Sequence, residues 1–543
     1  MTQRGAARAA LLLLLLVAAA LRIHNIGFGL PGMYDPDEPM FMLTALKLPL
    51  KGTLNPQWFG HPGSTTIYLV ALVDVIVAAT ALLGGAYGSL GELTTAAYAN
   101  PAIFFIPARV AMVALGVTSI GLTYVLGRRL HGTAAGLVAA ALLTFNALHI
   151  AWSQVVRTDI HASVFMLASM IFAAKVAESG RLRHWLLAGF LTGFAIATKW
   201  PSAAVFVAVI GAFIYRRVQG SGSARTDLRN LFLAGLTVLV GMFLASPFLF
   251  LDWPTVVSNL SGEMRPRHLG HTGGGLVFNL GWYLRVQVAG TMGMVALAAI
   301  AAGFILSGLR SRIALFTLVP TAVTFMVLIS AQHLIWSRWV LPALPLLCIF
   351  AGFAVVRAGE KLAALWPSRS PYLVTTGLAA AMLIPSVAGA IGEARERAND
   401  TRAMAVRWAK TNIAPGKTVV LEHLELNLRG QPWKILFPMG AAGCVDAVHL
   451  LNSQVQYSKV QGLRRGSSII DLGNIDPARL DTCRADYAIL TYYDLYRAEA
   501  EHFPREIETY DKILAGGRTV ALFAPRPGYS GGPVVRIVAI PRG

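Results

Sequence analysis

Apolar residues along this chain occur in long runs rather than in the alternating or amphipathic patterns of a soluble protein. The runs are close to the roughly 20 residues that an α-helix needs to cross a bilayer. Short connections rich in Arg and Lys separate many of them. The pattern predicts eleven membrane-spanning helices, near residues 9–29, 101–127, 132–150, 160–178, 185–200, 201–216, 228–248, 282–306, 313–331, 339–357 and 372–391.

The basic connections also predict the orientation of the chain, because short loops rich in Lys and Arg stay in the cytosol. This rule places the N-terminus in the cytosol and everything after residue 391 outside. Residues 64–84 are apolar enough to span, but a crossing there would reverse every later loop. We therefore interpret 64–84 as a helix in the plane of the external leaflet, which is consistent with the carboxylate of Asp74 within it.

After residue 391 the chain becomes more polar and alternates strand-like with helix-like stretches. The predicted fold is thus a polytopic all-α membrane domain, residues 1–391, followed by a soluble α/β domain, residues 392–543. Cys444 and Cys483 both lie in this second part, where an external compartment would permit a disulfide. Their spacing alone leaves open whether they are paired.

Composition agrees with a membrane protein: 55% of the 543 residues are hydrophobic and only 13% are charged. A soluble protein of this size would have about a quarter of its residues charged. The formal net charge of +19 does not indicate a nucleic-acid partner, because the basic residues fall in the loops between spans. No zinc-finger spacing, phosphate-binding loop or dinucleotide fingerprint accompanies that charge, so membrane lipids are the expected partners.

An acidic cluster, Tyr34–Pro39, follows the first predicted span and contains Asp35, Asp37 and Glu38. Clustered carboxylates at a membrane surface repel one another and lose solvation, so they usually serve a chemical purpose. Asp37 and Glu38 could act as a general base and a substrate-orienting acceptor. Alternatively, Asp35 and Asp37 could only cap a short helix that has Pro39 near its start.

The predicted orientation places the remaining unusual polar residues on the same external side. They are His61, Arg157, Asp159, Lys199, Arg265, Arg267, His268, His271 and Arg338. A sugar phosphate donor leaves as an anion, so cations near a base are the combination that such a transfer needs. Each residue also has a structural alternative: an ion pair for Arg157 with Asp159, interfacial anchoring for Lys199, and a lipid-attracting basic loop for 265–275.

Several short motifs resemble one family in their order along the chain. They are Asp37-Glu38, His61-Pro62, Gly127-Arg-Arg-Leu130, Arg157 with Asp159, Thr198-Lys199, and Arg338-Trp-Val-Leu-Pro342 with Pro345. The chain resembles the bacterial relatives of protein O-mannosyltransferases and of the aminoarabinose transferase that modifies lipid A, which are glycosyltransferases of the GT-C fold. One departure is that Pro62 is followed by Gly63, where relatives often have a second proline.

The resemblance implies a site and its partners. Asp37 would be the catalytic base, Glu38 would contact acceptor or donor, and Asp159 would line the cavity. Lys199 and a cation of the external loop would bind the lipid phosphate. We therefore expect Asp37, Glu38 and Asp159 to be the catalytic residues. The residue pattern and the resemblance together predict a set of substrate-binding residues: Asp35, His61, Arg157, Lys199, Arg265, Arg267, His268 and Arg338. The expected partners are a polyprenyl-phosphate sugar donor and an envelope acceptor in a bacterial cytoplasmic membrane; no cofactor is required by this chemistry, although a divalent cation could take part.

Two readings from other classes remain as alternatives. A transporter or flippase of lipid-linked sugars should carry ionisable residues near mid-span and internal repeats. A non-catalytic envelope assembly protein would leave the acidic cluster without a purpose. The clustering of polar residues at one face favours the enzyme.

Overall fold

A computed structural model describes residues 3–263, 266–365, 370–428, 430–451 and 471–541. The chain divides into two compact units. The first comprises Met1–Gly27 and Asp37–Ala390, and the second comprises Phe28–Pro36 and Ile391–Gly543.

The first unit is helical, as its hydropathy predicts. The helices of its N-terminal half are α1 (Gln3–Ile23), α2 (Glu38–Lys51), α3 (Ser64–Leu83), α4 (Leu90–Ala99), α5 (Ala102–His131), α6 (Thr133–Thr144), α7 (Ala147–Ser153), α8 (Thr158–Ser179) and α9 (Leu182–Thr198). The later helices are α10 (Phe206–Val218), α11 (Ala224–Ala245), α12 (Phe248–Leu251), α13 (Trp253–Glu263), α14 (Leu276–Trp282), α15 (Ala289–Met292), α16 (Met294–Arg310), α17 (Arg312–Phe316), α18 (Leu318–Ser330), α19 (Leu344–Leu365) and α20 (Pro371–Ala398). Two 3₁₀ turns, Trp200–Val205 and Ser337–Val340, lie among them.

Eight helices of the described chain are long and apolar enough to cross a membrane, or up to ten if each of two bent pairs forms one span. The predicted span 185–200 is the shorter helix α9, and the span 339–357 is α19, which carries charged residues in its last turns. Helix α3 meets the length and apolarity of a span. Its placement in the plane of the membrane therefore stays a prediction.

Two predicted spans are broken helices. Helices α6 and α7 meet at 65°, and the pair Leu276–Met292 and Met294–Arg310 meets at 117°. The sharper bend lies at Gly293, whose φ of 86° is a left-handed conformation that glycine adopts without a steric penalty.

Close helix contacts in this unit use small residues, as is usual in membranes. Helices α9 and α11 approach so closely that a Cβ added to Gly189 would lie 2.0 Å from the carbonyl oxygen of Ala234. A Cβ at Gly193 would lie 2.2 Å from the carbonyl oxygen of Val238. Larger residues at either position would separate the two helices, and α9 ends at the candidate site.

The second unit is an α/β domain around a six-stranded sheet, as the sequence predicts. Its strands are β1 (Thr418–Leu421), β2 (Lys434–Pro438), β3 (Cys444–Asp446), β4 (Tyr487–Leu490), β5 (Arg518–Phe523) and β6 (Val535–Ala539), in the order β3-β2-β1-β4-β6-β5. Its helices are α21 (Thr401–Asn412), α22 (Ala447–Leu451), α23 (Tyr493–Ala498) and α24 (Pro504–Ile513). Strands β2, β1 and β4 are parallel, and the other pairings are antiparallel. Cys444 and Cys483 form a disulfide.

A segment far from this unit in sequence belongs to it. Arg402 donates to the carbonyl oxygen of Tyr34 over 3.0 Å, and its guanidinium lies 3.9 Å from the centre of the Tyr34 ring. Arg397 lies 3.9 Å from the ring centre of Phe28. Asp35 is therefore grouped with the second unit, whereas Asp37 and Glu38 belong to the first.

Candidate active site

The site begins where helix α2 starts, because Asp37 is its N-cap residue and Pro39 lies in its first turn. The side chain of Asp37 makes no capping hydrogen bond to the helix. It is thus directed to other partners.

Glu38 is fully buried and is held by Arg109 from helix α5. Arg109 donates to it from Nε over 2.9 Å and from Nη2 over 2.6 Å. The amide of Val156 donates to the same carboxylate over 3.0 Å. Glu38 therefore fixes the start of α2 beside the residue that precedes Arg157.

Asp37 forms an ion pair with Arg157, and Nη2 of Arg338 lies 3.6 Å from its Oδ2. Burial alone would raise the pKa of Asp37, but these two guanidinium groups hold that pKa well below its ordinary value. The side chain still keeps 39% of its surface exposed, whereas its two partners keep 5% or less. Asp37 is thus an ionised and accessible carboxylate.

Asp159, in the first turn of α8, forms an ion pair with Lys199. Nε of Arg338 lies 4.0 Å from its Oδ2, so Arg338 faces both carboxylates. In contrast to Asp37, the side chain of Asp159 is only 1% exposed. The exposure of the side chain therefore distinguishes Asp37 from Asp159, the two carboxylates that the sequence predicts to be catalytic.

Lys199 reaches Asp159 because the chain is extended between α9 and the 3₁₀ turn that follows. Pro62 pairs with Lys199 in an antiparallel bridge, and the amide of Gly63 donates to the carbonyl oxygen of Thr198 over 3.3 Å. Gly63 has a φ of 74°, which a proline ring cannot adopt. The departure from the relatives' second proline therefore has a conformational reason.

His61 lies against the same group of charges. Its ring contacts Trp58 at a centroid distance of 5.2 Å and Phe41 at 6.1 Å. Burial, together with Arg338 and Lys199, lowers the pKa of His61 to about 3. Its buried Nδ1 has no hydrogen-bond partner among the described residues. His61 is thus a neutral imidazole at physiological pH.

Three cations and two carboxylates therefore meet in one cluster, which we call the charge cluster: Asp37, Arg157, Asp159, Lys199 and Arg338. The cluster carries one positive charge in excess, because His61 is neutral and Glu38 is already paired with Arg109. An excess positive charge in a partly desolvated place favours the binding of an anion.

The loop that carries His268 and His271 contributes through a tryptophan that the sequence did not single out. The ring of Trp336 is stacked on His271 at a centroid distance of 3.5 Å and contacts His268 at 5.1 Å. The guanidinium carbon of Arg338 lies 4.2 Å from the ring centre of Trp336 and 5.8 Å from that of Trp152. His268 and His271 are thus linked to the charge cluster through one aromatic ring.

Other candidates are not part of this cluster. Arg267 is exposed, Asp35 belongs to the second unit, and Arg265 lies outside the described residues. In the described ranges, no three His, Cys, Asp or Glu side chains are grouped so that they could hold a metal ion. The sequence analysis missed three contributors to the site: Arg109, Trp152 and Trp336. Only Arg109 gave a signal, because an arginine inside an apolar run is unusual.

A family model described as dolichyl-phosphate-mannose-protein mannosyltransferase matches residues 105–251. This range includes Arg157, Asp159 and Lys199. No curated protein matches the sequence.

The fold is similar to solved structures over nearly the whole chain. ArnT from Cupriavidus metallidurans in the apo state has a TM-score of 0.53 at 16% identity, covering 98% of both chains. The same protein bound to undecaprenyl phosphate gives 0.52 at 16% identity over 97% of both chains. The oligosaccharyltransferase AglB from Archaeoglobus fulgidus, in complex with an inhibitory peptide and a dolichol-phosphate, gives 0.51 at 13% identity over 93% of this chain and 72% of that chain.

These matches confirm the predicted fold class, a GT-C-like membrane protein with a C-terminal sheet domain. The family match and the fold agree on the class of protein, a membrane glycosyltransferase.

Proposed function

We propose that this membrane glycosyltransferase transfers a sugar from a polyprenyl-phosphate donor to a hydroxyl group of an envelope acceptor. The transfer takes place at the external face of a bacterial cytoplasmic membrane, and Asp37 is the general base. The observation that carries the proposal is the charge cluster, in which one accessible carboxylate lies among three cations with a positive charge in excess.

The cations suit the leaving group of such a transfer. A polyprenyl phosphate leaves as an anion, so it needs charge stabilisation rather than a proton. Arg157, Lys199 and Arg338 supply that stabilisation from three separate elements. Undecaprenyl phosphate and dolichol-phosphate are the lipids named in the structures of similar fold, which supports this class of donor.

The accessible carboxylate suits the acceptor. Asp37 takes the proton of the acceptor hydroxyl while that oxygen forms a bond to the anomeric carbon of the sugar. The bond between this carbon and the phosphate oxygen breaks, its electron pair stays on the lipid phosphate, and the proton remains on Asp37. A single displacement of this kind inverts the anomeric configuration. The buried Asp159 instead holds Lys199 and Arg338 in place.

The low pKa of Asp37 makes it a weak base while Arg157 and Arg338 are directed at it. Donor phosphate would share those two guanidinium groups and reduce their effect on the carboxylate. The proton affinity of Asp37 should therefore rise when donor binds. This coupling would restrict base catalysis to the loaded site, because a base works best with a pKa nearer the operating pH.

The external location of the second unit is supported by its disulfide, since disulfides persist in oxidising compartments. With the N-terminus in the cytosol, the same orientation places the charge cluster at the external face.

A transfer assay tests the function. The purified protein in nanodiscs is supplied with radiolabelled polyprenyl-phosphate mannose or aminoarabinose and with fractionated envelope lipid, polysaccharide or protein. We expect label in one acceptor fraction, released in step with free polyprenyl phosphate. Movement of intact labelled donor across liposomes without any transfer would instead support the transporter. The absence of both transfer and transport would support a non-catalytic assembly protein.

A further inference from the structure

The Trp336 ring is covered by residues of this chain. His271 is stacked on the ring with an interplanar angle of 21°, and the guanidinium carbon of Arg338 lies 4.2 Å from its centre. A ring covered in this way is not an open platform on which a sugar could stack. Its contacts must therefore act within the protein.

The position of Trp336 is set by a short antiparallel pairing of two loops. The amide of Ile335 donates to the carbonyl oxygen of His271 over 2.9 Å, and the amide of Gly273 donates to that of His333 over 2.7 Å. Thr272 and Leu334 form the bridge between these two bonds. The pairing places His271 beside Trp336 and leaves little freedom for either backbone.

The loop that carries His271 is anchored in turn by a buried asparagine. Asn279 accepts from the amide of Gly274 over 3.0 Å and donates to the carbonyl oxygens of Ser330 and Gln332, each over 2.9 Å. Asn279 is completely buried. The ring of Trp336 is thus held by a frame of backbone and buried side-chain hydrogen bonds.

Arg338 has two longer-range charge contacts in addition to the ring of Trp336. Its guanidinium lies 3.6 Å from an oxygen of Asp37 and 4.0 Å from an oxygen of Asp159, which are both longer than a direct charged hydrogen bond. Two carboxylates at these distances do not fix the plane of the guanidinium. An aromatic face does, because a cation is attracted to it over a limited range of positions.

We propose that Trp336 is a positioning residue, which holds the guanidinium of Arg338 between Asp37 and Asp159 and so prepares it to receive the phosphate of the donor. His271, stacked on the same ring, supports its position. The inference rests on the proposed function only in giving Arg338 a phosphate to bind.

A double-mutant cycle tests this role without requiring turnover. The probe is undecaprenyl phosphate, and its dissociation constant is measured for wild type, Trp336→Leu, Arg338→Gln and the double variant. We expect Trp336→Leu to weaken binding about 10-fold, which is within the range of a desolvated cation–π contact. In the Arg338→Gln background the same change should alter binding by less than about 2-fold, because the group that the ring positions is gone.

Further variants separate positioning from simple stability. Trp336→Phe keeps an aromatic face and should retain most of the binding. This variant still tests the proposal if Trp336→Leu proves too unstable to purify. His271→Ala should weaken binding in the same direction, and its effect should also disappear in the Arg338→Gln background. Trp339→Leu, in the same 3₁₀ turn, is the matched control and should add independently to Arg338→Gln.

Additive effects of Trp336→Leu and Arg338→Gln would overturn the inference, as would normal binding by Trp336→Leu. The proposed function fails separately. Strong coupling in a protein that transfers no sugar would support the positioning role and contradict the proposed function.

Discussion

Glu38 and Arg109 form a bidentate ion pair, in which the side chains are 0% and 1% exposed. They are 71 positions apart in sequence. The pair joins the start of α2, which carries Asp37, to a long helix of the membrane unit. Glu38 follows Asp37 directly in the sequence, but its carboxylate is used in the scaffold of the site.

Breaking this pair should destabilise the protein. Glu38→Gln leaves the buried guanidinium of Arg109 without a full counter-charge, and such changes cost about 3–5 kcal/mol. We expect a clearly lower midpoint of thermal unfolding in detergent, measured by intrinsic fluorescence. Asp481→Asn is the matched control, since its ion pair with Arg484 is 86% and 84% exposed and should contribute little. A Glu38→Gln protein with an unchanged midpoint and no activity would instead make Glu38 a catalytic residue.

Lys199→Ala should weaken the binding of undecaprenyl phosphate by about 10-fold or more, because a desolvated cation is lost from the site. The exposed Lys51→Ala should bind normally. Binding would be measured by native mass spectrometry on the same preparations. Unchanged binding by Lys199→Ala would mean that Lys199 does not contact the lipid phosphate and only forms the ion pair with Asp159.

The orientation of the chain has a direct test. In a background with Cys348 replaced by Ala, single cysteines at Arg129 and Gly430 should react with membrane-impermeant maleimide from opposite sides of sealed vesicles. This expectation follows from the basic loops and from the disulfide of the second unit, since disulfides persist in oxidising compartments. Labelling of both positions from one side would refute the predicted topology. Labelling of position 129 from outside and of position 430 from the cytosolic side would instead contradict the in-plane position of α3, because a crossing there would reverse both positions together.

His61 should affect the pH dependence of stability. Its folded pKa is lowered to about 3, below the ordinary value, so the unfolded state binds a proton first as pH falls. The contribution of neutral His61 is complete above about pH 6.5 and is lost as the pH falls towards the folded pKa, with a slope of at most about 1.4 kcal/mol per pH unit.

His61→Gln should therefore flatten the loss of stability between about pH 6 and pH 4, relative to wild type. Denaturation midpoints at several pH values would check this. His161→Gln is a useful comparison, because His161 is also buried, within helix α8, where its ring contacts Thr66 and Phe165. An equal pH dependence in wild type and His61→Gln would mean that His61 is not buried in its neutral form.

The sequence predicts most of the helices and the α/β character of the second unit, since hydropathy and alternation are local signals. It also proposes the residues that meet in the charge cluster, because the basic loops assign them to one side. The bend at Gly293 is less visible, since a lone glycine in an apolar run is common in membranes. The pairing of residues 271–273 with 333–335, and with it Trp336, depends on contacts between distant loops.

The grouping of Phe28–Pro36 with the second unit had no sequence signal either. The nine residues lie beside Asp37 in the chain, and only the contacts of Tyr34 and Phe28 with Arg402 and Arg397 reveal where they pack. Local charge patterns therefore suggested one acidic cluster, whereas the folded chain assigns Asp35, Asp37 and Glu38 to three different environments.

The central claim is that Asp37 is the base, and the Asp37→Asn variant tests it most directly. This change keeps the shape of the side chain but removes proton acceptance, so turnover should fall by about 100-fold or more, the usual scale for a general base. Binding of undecaprenyl phosphate should survive, since Arg157, Lys199 and Arg338 remain. Glu92→Gln, an exposed carboxylate of the same unit, should transfer sugar normally. Normal turnover by Asp37→Asn together with an inactive Asp159→Asn would contradict the account and make Asp159 the base.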